Sequence, residues 1–549
     1  MITHSLKVLL WGKEIGRLSW DKRRNISYFE YNQAYLDGTL DAFPLIAPIR
    51  SPASRRPIQG DNERALYHRL PPFLADSLPD AWGNQVFECW RLEHGIRNQE
   101  ITPLDILSFI GRRGMGALEF LPESGGIRVS ERINLEALTS LAQRIFAERE
   151  RVSILPEDSL TMQSLMAVGT SAGGRQPKAI IAVNPETGEI CSGQISGRKG
   201  FEYCILKFGD PERSSAELEM AFYEMATAAG IQMMSSRLIE AEGRRHFVTL
   251  RFDRDKDRKL HMQTLAAICP EADSYEQLLL VCRRMRLPET AQEEIFRRMV
   301  FNFLANNTDD HNKNFSFLMD QKGNWRLSPG YDMTYIFNTA GYLPETMHCL
   351  MLRGKTSRWT KEDAMAMAKE NGIRRAEAII AEVAEVIRKF RQFGEKHHVQ
   401  ERWIGAIERT LLDNMAAWQL ANPQHEMSSW LEGHKLSHIR LEPTYKGHFH
   451  LRANIDGNER KYVIAKNKIE LSDKGLIDRI LDKVKEVYAA EDINTIDGVK
   501  ISFESRKEWV HLRRSNTEPI IRIYSEAATK EAADALGQQI IDIANKIIG

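Results

Sequence analysis

Asn306-Asn-Thr-Asp-Asp-His-Asn-Lys-Asn-Phe-Ser-Phe-Leu318 is a dense polar run that closes on the first residues of an apolar strand. Upstream, residues 290–306 read as a helix. Ile295, Met299, Val300, Phe303 and Leu304 give it the broad apolar stripe of a buried element, and Thr290 with Glu293 has the spacing of a capping box. Downstream, Phe315–Leu318, the turn Gln321-Lys-Gly-Asn and Trp325–Leu327 read as a hairpin that delivers Ser328-Pro-Gly-Tyr-Asp332. Polar groups packed this tightly between two apolar elements are costly to hold unless they satisfy one another or meet a ligand. Taken alone, Asp309-Asp310-His311 is equally an Asp-rich turn or a metal loop, and a lone His311 is more often a structural hydrogen-bonder.

The spacing Asp309 to Asn314, followed by Asp332, points to phosphoryl transfer. That chemistry needs phosphates held, Mg²⁺ held and an acceptor hydroxyl oriented. Kinases do it with a Gly-rich loop, a strand Lys paired to a helix Glu, an Asp with an Asn five residues on, and a later metal-binding Asp. Each part has a candidate here, in that order. The loop is Gly169-Thr-Ser-Ala-Gly-Gly-Arg-Gln-Pro-Lys178, so Gly169, Thr170, Ser171, Ala172, Gly173, Gly174 and Lys178 are expected at the nucleotide; a plain glycine turn is the bland alternative. Lys207 ends the strand Tyr203-Cys-Ile-Leu-Lys, where a lysine reaching solvent is the competing reading. Twelve residues on, Glu219 sits on the flank of an amphipathic helix, 214–229, that Ser214 and Glu217 are expected to cap.

With 549 residues the chain is long enough for three or four domains. Its 75 Lys+Arg balance 75 Asp+Glu, which argues against a whole-protein affinity for nucleic acid or anionic membrane. The first apolar run, Val8 to Trp11, is too short for a signal peptide, and no segment approaches membrane-spanning length. Cys89, Cys191, Cys204, Cys269, Cys282 and Cys349 form no CxxC pair, so a reducing, cytoplasmic setting is expected. Lys178–Val183 running into Asn184-Pro-Glu-Thr-Gly is a hairpin signal, residues 271–420 read as mostly helical, and 421–460 lose periodicity.

These pieces resemble the HipA family of bacterial toxin kinases over roughly 1–430. The matching stretches are Gly12–Leu18 with Phe29-Glu-Tyr, Ser77-Leu-Pro-Asp-Ala-Trp-Gly83, Gly114-Met-Gly-Ala-Leu-Glu-Phe120, Ser171–Ala179, Leu250-Arg-Phe-Asp-Arg254 and Thr308–Ser316. The tail resembles the last domain of phosphohexomutases, through Tyr462–Leu471, Ile496-Asp-Gly-Val-Lys500 and Trp509-Val-His-Leu-Arg-Arg-Ser-Asn-Thr-Glu-Pro-Ile-Ile-Arg522.

The resemblances imply an α+β chain, a two-lobed protein-kinase-like fold with a separate small α+β C-terminal domain. The expected boundaries are 1–125 for an N-terminal subdomain, 126–270 for a nucleotide-binding lobe and 271–430 for a mainly helical catalytic lobe. A linker at 431–460 and the phosphohexomutase-like domain at 461–549 complete the division. Carried over residue by residue, Lys207 would contact ATP phosphates and Asp309 would orient the acceptor, with His311 supporting the loop and Asn314 and Asp332 holding Mg²⁺. The resemblance further implies a Ser/Thr protein kinase that autophosphorylates in the Gly-rich loop, at Thr170 or Ser171, and acts on a protein substrate such as a translation component. Its partner would be a DNA-binding antitoxin, without direct nucleic-acid or membrane contact of its own. In the tail, Arg513, Ser515, Asn516, Thr517 and Arg522 would grip the phosphate of a phosphosugar. The phosphoserine and Asp-Gly-Asp loops of a mutase are missing, so mutase activity by this chain alone is not expected. The alternatives are an inactive kinase-like scaffold whose tail binds a phosphosugar or docks a mutase, catalysis on a small molecule, and a purely structural tail.

Overall fold

The computed structural model describes residues 4–93, 101–122, 133–147, 161, 165, 176–194, 199–241, 243–256, 258–337, 347–420, 436–443, 449–455, 458–459, 463–471, 475–495, 498–503, 506, 508–514 and 520–548. The chain divides into two compact units, Met1–Phe337 with Glu345–Ala421, and Asn338–Pro344 with Asn422–Gly549.

The first unit starts from alternation. Leu6, Val8 and Leu10 of β1 (Ser5–Leu10) are buried in turn, as a half-buried strand requires. With β2 (Lys13–Asp21), β3 (Ile26–Tyr31), β4 (Ile58–Gln59) and β5 (Leu118–Leu121) it forms an antiparallel sheet in the order β4-β3-β2-β1-β5. A second sheet, β7-β6-β8-β10-β9, is built from β6 (Lys178–Val183), β7 (Ile190–Ser192), β8 (Glu202–Lys207), β9 (Ser236–Ala241) and β10 (Arg244–Leu250). The expected β6–β7 hairpin forms, with Asn184 Oδ1 accepting from Glu186 N and Thr187 N inside the turn. A short hairpin follows, β11 (Arg254–Asp255) with β12 (Arg258–Lys259). Next comes a third sheet, of β13 (His261–Thr264), β14 (Ser316–Met319) and β15 (Trp325–Leu327). β13 lies ahead of the expected boundary at 270 yet pairs with β14, so the sheet of the larger lobe begins by His261.

The helices 275–284, 289–304, 361–370, 376–387, 390–396 and 401–417 share one core, with Phe296, Met299, Val300, Ile380 and Leu411 at its centre. The stretch 374–420 thus serves packing.

Neither expected capping box forms. Ser214 has φ +48°, outside the extended range of a cap, and its Oγ accepts from Gln400 N at 3.3 Å instead. The second helix starts at Glu289 behind Pro288, which places Thr290 inside the first turn.

Arg251-Phe-Asp-Arg254 ties the first sheet's domain to the second. Arg251 grips the Asp253 carboxylate with two parallel hydrogen bonds of 2.9 and 2.8 Å, and both side chains are fully buried. Arg254 Nη1 adds a third contact at 2.8 Å, and Gly116 N donates to Asp253 Oδ2 at 2.7 Å. Gly116 has φ +74°, and a Cβ there would sit 3.1 Å from Met262 N. That explains a glycine where two domains close on one carboxylate. Burial pushes Asp253 up, but the Arg251 and Arg254 charges hold it well below the ordinary carboxylate range.

In the second unit, residues 436–459 depart from the expected linker. β16 (Leu436–Pro443), β17 (Phe449–Ile455) and β18 (Asn458–Glu459) form an antiparallel meander. Phe449, Leu451, Ala453 and Ile455 alternate with His450, Arg452 and Asn454, a period-two signal lost among the surrounding His, Pro and Gly. Beyond it, β19 (Val463–Glu470), β20 (Asp492–Asn494), β21 (Val499–Phe503), β22 (Glu508–Arg514) and β23 (Ile520–Ala527) make an antiparallel sheet in the order β19-β23-β22-β21-β20. The helices 475–487 and 530–548 pack against its apolar side around Ile480, Val484, Ile523 and Ile540. Among the described residues no helix is long and apolar enough to cross a membrane.

Asp253→Asn strips two buried guanidiniums of their counter-charge and should lower stability by about 3–5 kcal/mol in urea unfolding. Because the folded carboxyl titrates below its unfolded value, its contribution is complete above about pH 4 and is lost as pH falls toward the depressed value. The gap between wild type and variant should therefore narrow in acid.

Candidate active site

The site is built around a buried lysine. Register places Lys207 directly opposite Lys178 on β6 and opposite Phe247 on β10, in the middle of the second sheet. Lys207 is 7% exposed, and an ammonium that deep needs counter-charge. Its Nζ donates both to Glu219, on the helix Ser215–Ala228, and to Asp332. Burial opposes the Lys207 charge, but Asp332 and Glu219 outweigh it and raise its pKa. Burial likewise pushes Asp332 up, and Lys207 and Lys178 overcome it, holding the carboxyl well below its usual range. Lys178 shifts down, through burial and the neighbouring Lys207, against the pull of Asp332. Asp332 itself sits at φ +53°, a left-handed conformation uncommon for any residue but glycine.

The polar run after the buried helix splits into an inner and an outer half. Asp310 is 1% exposed and accepts from Tyr275 Oη at 2.7 Å and Cys349 N at 2.8 Å, with His348 Nδ1 2.9 Å from its Oδ2. Asn302 Nδ2 donates to Tyr275 Oη, and Asn307 Nδ2 reaches both Asn302 Oδ1 and the Asp332 carbonyl. The neighbouring Asp309 is exposed. Asn314 Nδ2 donates to the Asp309 carbonyl at 2.7 Å, and His311 Nε2 lies 3.8 Å from Asp309 Oδ1. Tyr331 Oη donates to the Lys313 carbonyl at 2.6 Å, tying this loop to the segment that carries Asp332.

Lys178, Lys207, Glu219, Asp309, His311, Asn314 and Asp332 all line one cleft. Its apolar wall includes Ile205, Phe247, Leu250, Met233 and Met234. Gly169, Thr170, Ser171, Ala172, Gly173 and Gly174 lie outside the described residues, as do Ser515, Asn516 and Thr517 of the tail.

Sequence reading gave no role to the inner anchors: Tyr275 and His348 are distant in the chain from Asp310, and Asn302 and Asn307, though close by, carry no spacing that marks them. It also gave no role to Asp76, Asp80 and Lys313 at the cleft rim. In the tail, Arg513 and Arg522 face each other across β22 and β23, and Lys468 on β19 is the next cation in the same row. All three are exposed.

Among the described residues no three His, Cys, Asp or Glu side chains gather into a metal cage. Asp332 and Asn314 nonetheless bring oxygen donors of the kind Mg²⁺ takes when phosphates complete its shell.

Comparison with known proteins agrees with this architecture. The HipA N-terminal domain family matches residues 6–121, the HipA-like C-terminal domain family 170–390, and the phosphoglucomutase/phosphomannomutase C-terminal domain family 467–543. The putative kinase Y4mE of Sinorhizobium fredii is 26% identical over 406 residues, covering 68% of this chain and 87% of that protein. Phosphoglucosamine/phosphogalactosamine mutase of Sulfurisphaera tokodaii is 38% identical over 82 residues, 15% of this chain and 18% of the enzyme. The chain therefore spans less than a fifth of that mutase. The fold resembles HipA of Shewanella oneidensis MR-1, solved in a complex with HipB and operator DNA, with a TM-score of 0.54 over 75% of this chain and 97% of the other at 16% identity. The chain thus carries a HipA N-terminal domain over residues 6–121 and a HipA-like C-terminal domain over 170–390, in an α+β, two-lobed kinase-like fold, with a phosphohexomutase C-terminal domain over 467–543.

Proposed function

We propose that this protein is an ATP-dependent Ser/Thr protein kinase, autophosphorylating at Thr170 or Ser171 and acting as the toxin of a toxin–antitoxin pair. The observation that carries the reading is the buried Lys207 held between Glu219 and Asp332, in the same cleft as Asp309 and Asn314. Lys207 and Lys178 present two ammoniums side by side for the ATP phosphates. Asp309 accepts the proton of the acceptor hydroxyl as its oxygen bonds to the γ-phosphorus. The bond to the β,γ-bridging oxygen breaks, and ADP leaves with that electron pair. His311 supports the loop, and Asn314 fixes it through the Asp309 carbonyl. Asp332 and Asn314 would hold Mg²⁺, which when bound would neutralise phosphate charge. A DNA-binding antitoxin as partner draws support from the HipB complex of the Shewanella protein. A protein substrate, such as a translation component, follows the family resemblance.

A second reading concerns the tail, as a site for the phosphate of a phosphosugar. Lys468, Arg522 and Arg513 stand in register on three adjacent strands. Two guanidinium forks and an ammonium at this spacing suit the oxygens of a phosphate dianion.

Purified protein with Mg²⁺ and labelled ATP should carry label at Thr170 or Ser171, and Asp309→Asn should lower incorporation about 10²–10⁴-fold. Absence of both label and ATP binding in wild type would overturn the kinase reading. Lys207→Met should abolish ATP binding in calorimetry, since it also leaves Glu219 and Asp332 facing each other. For the tail, glucosamine 1-phosphate should bind the full chain, and Arg522→Glu should remove that binding without changing labelling. Equal binding by both proteins would exclude the row as the site.

A further inference from the structure

The segment Ser77-Leu-Pro-Asp-Ala-Trp-Gly83 belongs to the N-terminal domain, yet it bridges the two sides of the cleft. On one side Lys313 Nζ, inside the Asp309–Asn314 loop, meets Asp80 Oδ1 at 2.6 Å. On the other, two residues along, the indole of Trp82 donates to the Lys178 carbonyl at 2.9 Å, and Trp82 is fully buried. A stretch of three residues therefore touches both the strand that presents the phosphate-facing lysine and the loop that presents the acceptor-facing carboxylate.

Both ends of the segment are anchored. Just before it, Asp76 accepts from Thr264 N at 2.8 Å and Thr264 Oγ1 at 2.7 Å, at the end of β13. Just after it, Asn84 N donates to the Asp80 carbonyl at 2.8 Å and Asn84 Nδ2 to the Pro79 carbonyl at 3.0 Å. Pro79 itself fixes the backbone torsion ahead of Asp80. The Asp80 carboxylate thus projects from a stiff support. The side chains of Lys313 and Asp80 are only 22% and 26% exposed, so water screens the pair less than it would at an open surface.

We infer that Asp80 is a positioning residue. Through Lys313 it sets the Asp309 loop at a fixed distance from Lys178, so the N-terminal domain takes part in phosphoryl transfer. The inference rests on the kinase reading for its catalytic consequence and on the contacts alone for the brace. Loss of the Asp80 charge releases the Lys313 ammonium, while the Asp310 anchor and the Tyr331 bond to the Lys313 carbonyl still hold the base of the loop. The loop then stays folded but no longer presents Asp309 at one place, and misplacement on the ångström scale is enough to slow a step that depends on alignment.

The test uses the full chain. Asp80→Asn should lower kcat by about ten- to a hundredfold with KM for ATP and the melting temperature unchanged. Asp80→Glu, which keeps the charge, should recover most of the rate. Hydrogen exchange at the amides of residues 309–314 should quicken in Asp80→Asn and return toward wild type in Asp80→Glu. Exchange there equal to wild type overturns the brace, as does a rate loss that tracks a fall in melting temperature. If wild type transfers no phosphate, the kinase reading falls, and the exchange result alone still decides whether Asp80 positions the loop.

Discussion

A single buried ammonium organises the first unit. Lys207 sits in the middle of a sheet, where removing its charge from water costs far more than any packing gain nearby returns unless carboxylates follow it inside. Two do, and they come from different places. Glu219 belongs to the helix that packs on the same sheet, and Asp332 follows the third sheet. Satisfying that one charge therefore requires helix, sheet and loop to meet at one point. The left-handed backbone of Asp332 is consistent with a residue whose position is dictated by its partner rather than by its own torsional preference. Lys178 alongside adds a like charge that burial and Lys207 disfavour and that Asp332 and Glu219 favour, so the same two carboxylates serve both lysines.

Two further carboxylates show how the chain separates support from chemistry. Asp253 and Asp310 are both sunk below the surface, and each gathers donors from segments far apart in sequence. Asp309 is adjacent to Asp310 yet exposed. In extended backbone, neighbouring side chains point opposite ways, so a doublet of identical residues can anchor a loop with one member and present the other. The quality of the anchor then sets how well the presented carboxylate is aimed.

Part of this was legible in the residues, and the division follows range. Lys207 and Glu219 are twelve apart, on a strand and the helix after it, and the hairpin leading to Asp332 announces itself by turn chemistry, so local rules reach them. The partners of Asp310 do not lie within any local window. Tyr275 and His348 are ordinary members of an amphipathic helix and a loop, and only the fold brings their polar ends to one carboxylate. Ser214 and Glu217 failed for a related reason: the cap pattern was present, but a left-handed backbone and a contact with Gln400 took the hydroxyl elsewhere. The strands at 436–459 were hidden by composition, since His, Pro and Gly around Phe449–Ile455 mask an alternation that is regular once isolated. Asp80 stayed silent for the same reason as Tyr275, because its meaning depends on Lys313, far along the chain.

The cations of the two units sit in opposite surroundings. The cleft relies on few cations, deeply placed and pre-paired with carboxylates, where the field is strong and salt penetrates little. The tail spreads Lys468, Arg522 and Arg513 along an exposed sheet face, where each charge is weak alone and the fields of neighbours add. Such a face is sensitive to ionic strength over a Debye length of about 8 Å at physiological salt, and the cleft much less so. A phosphorylated ligand on the tail would therefore be held loosely and exchange readily, the behaviour of a surface that reports concentration. A ligand in the cleft would be held rigidly against two lysines and a fixed loop, the behaviour of a surface that performs a reaction.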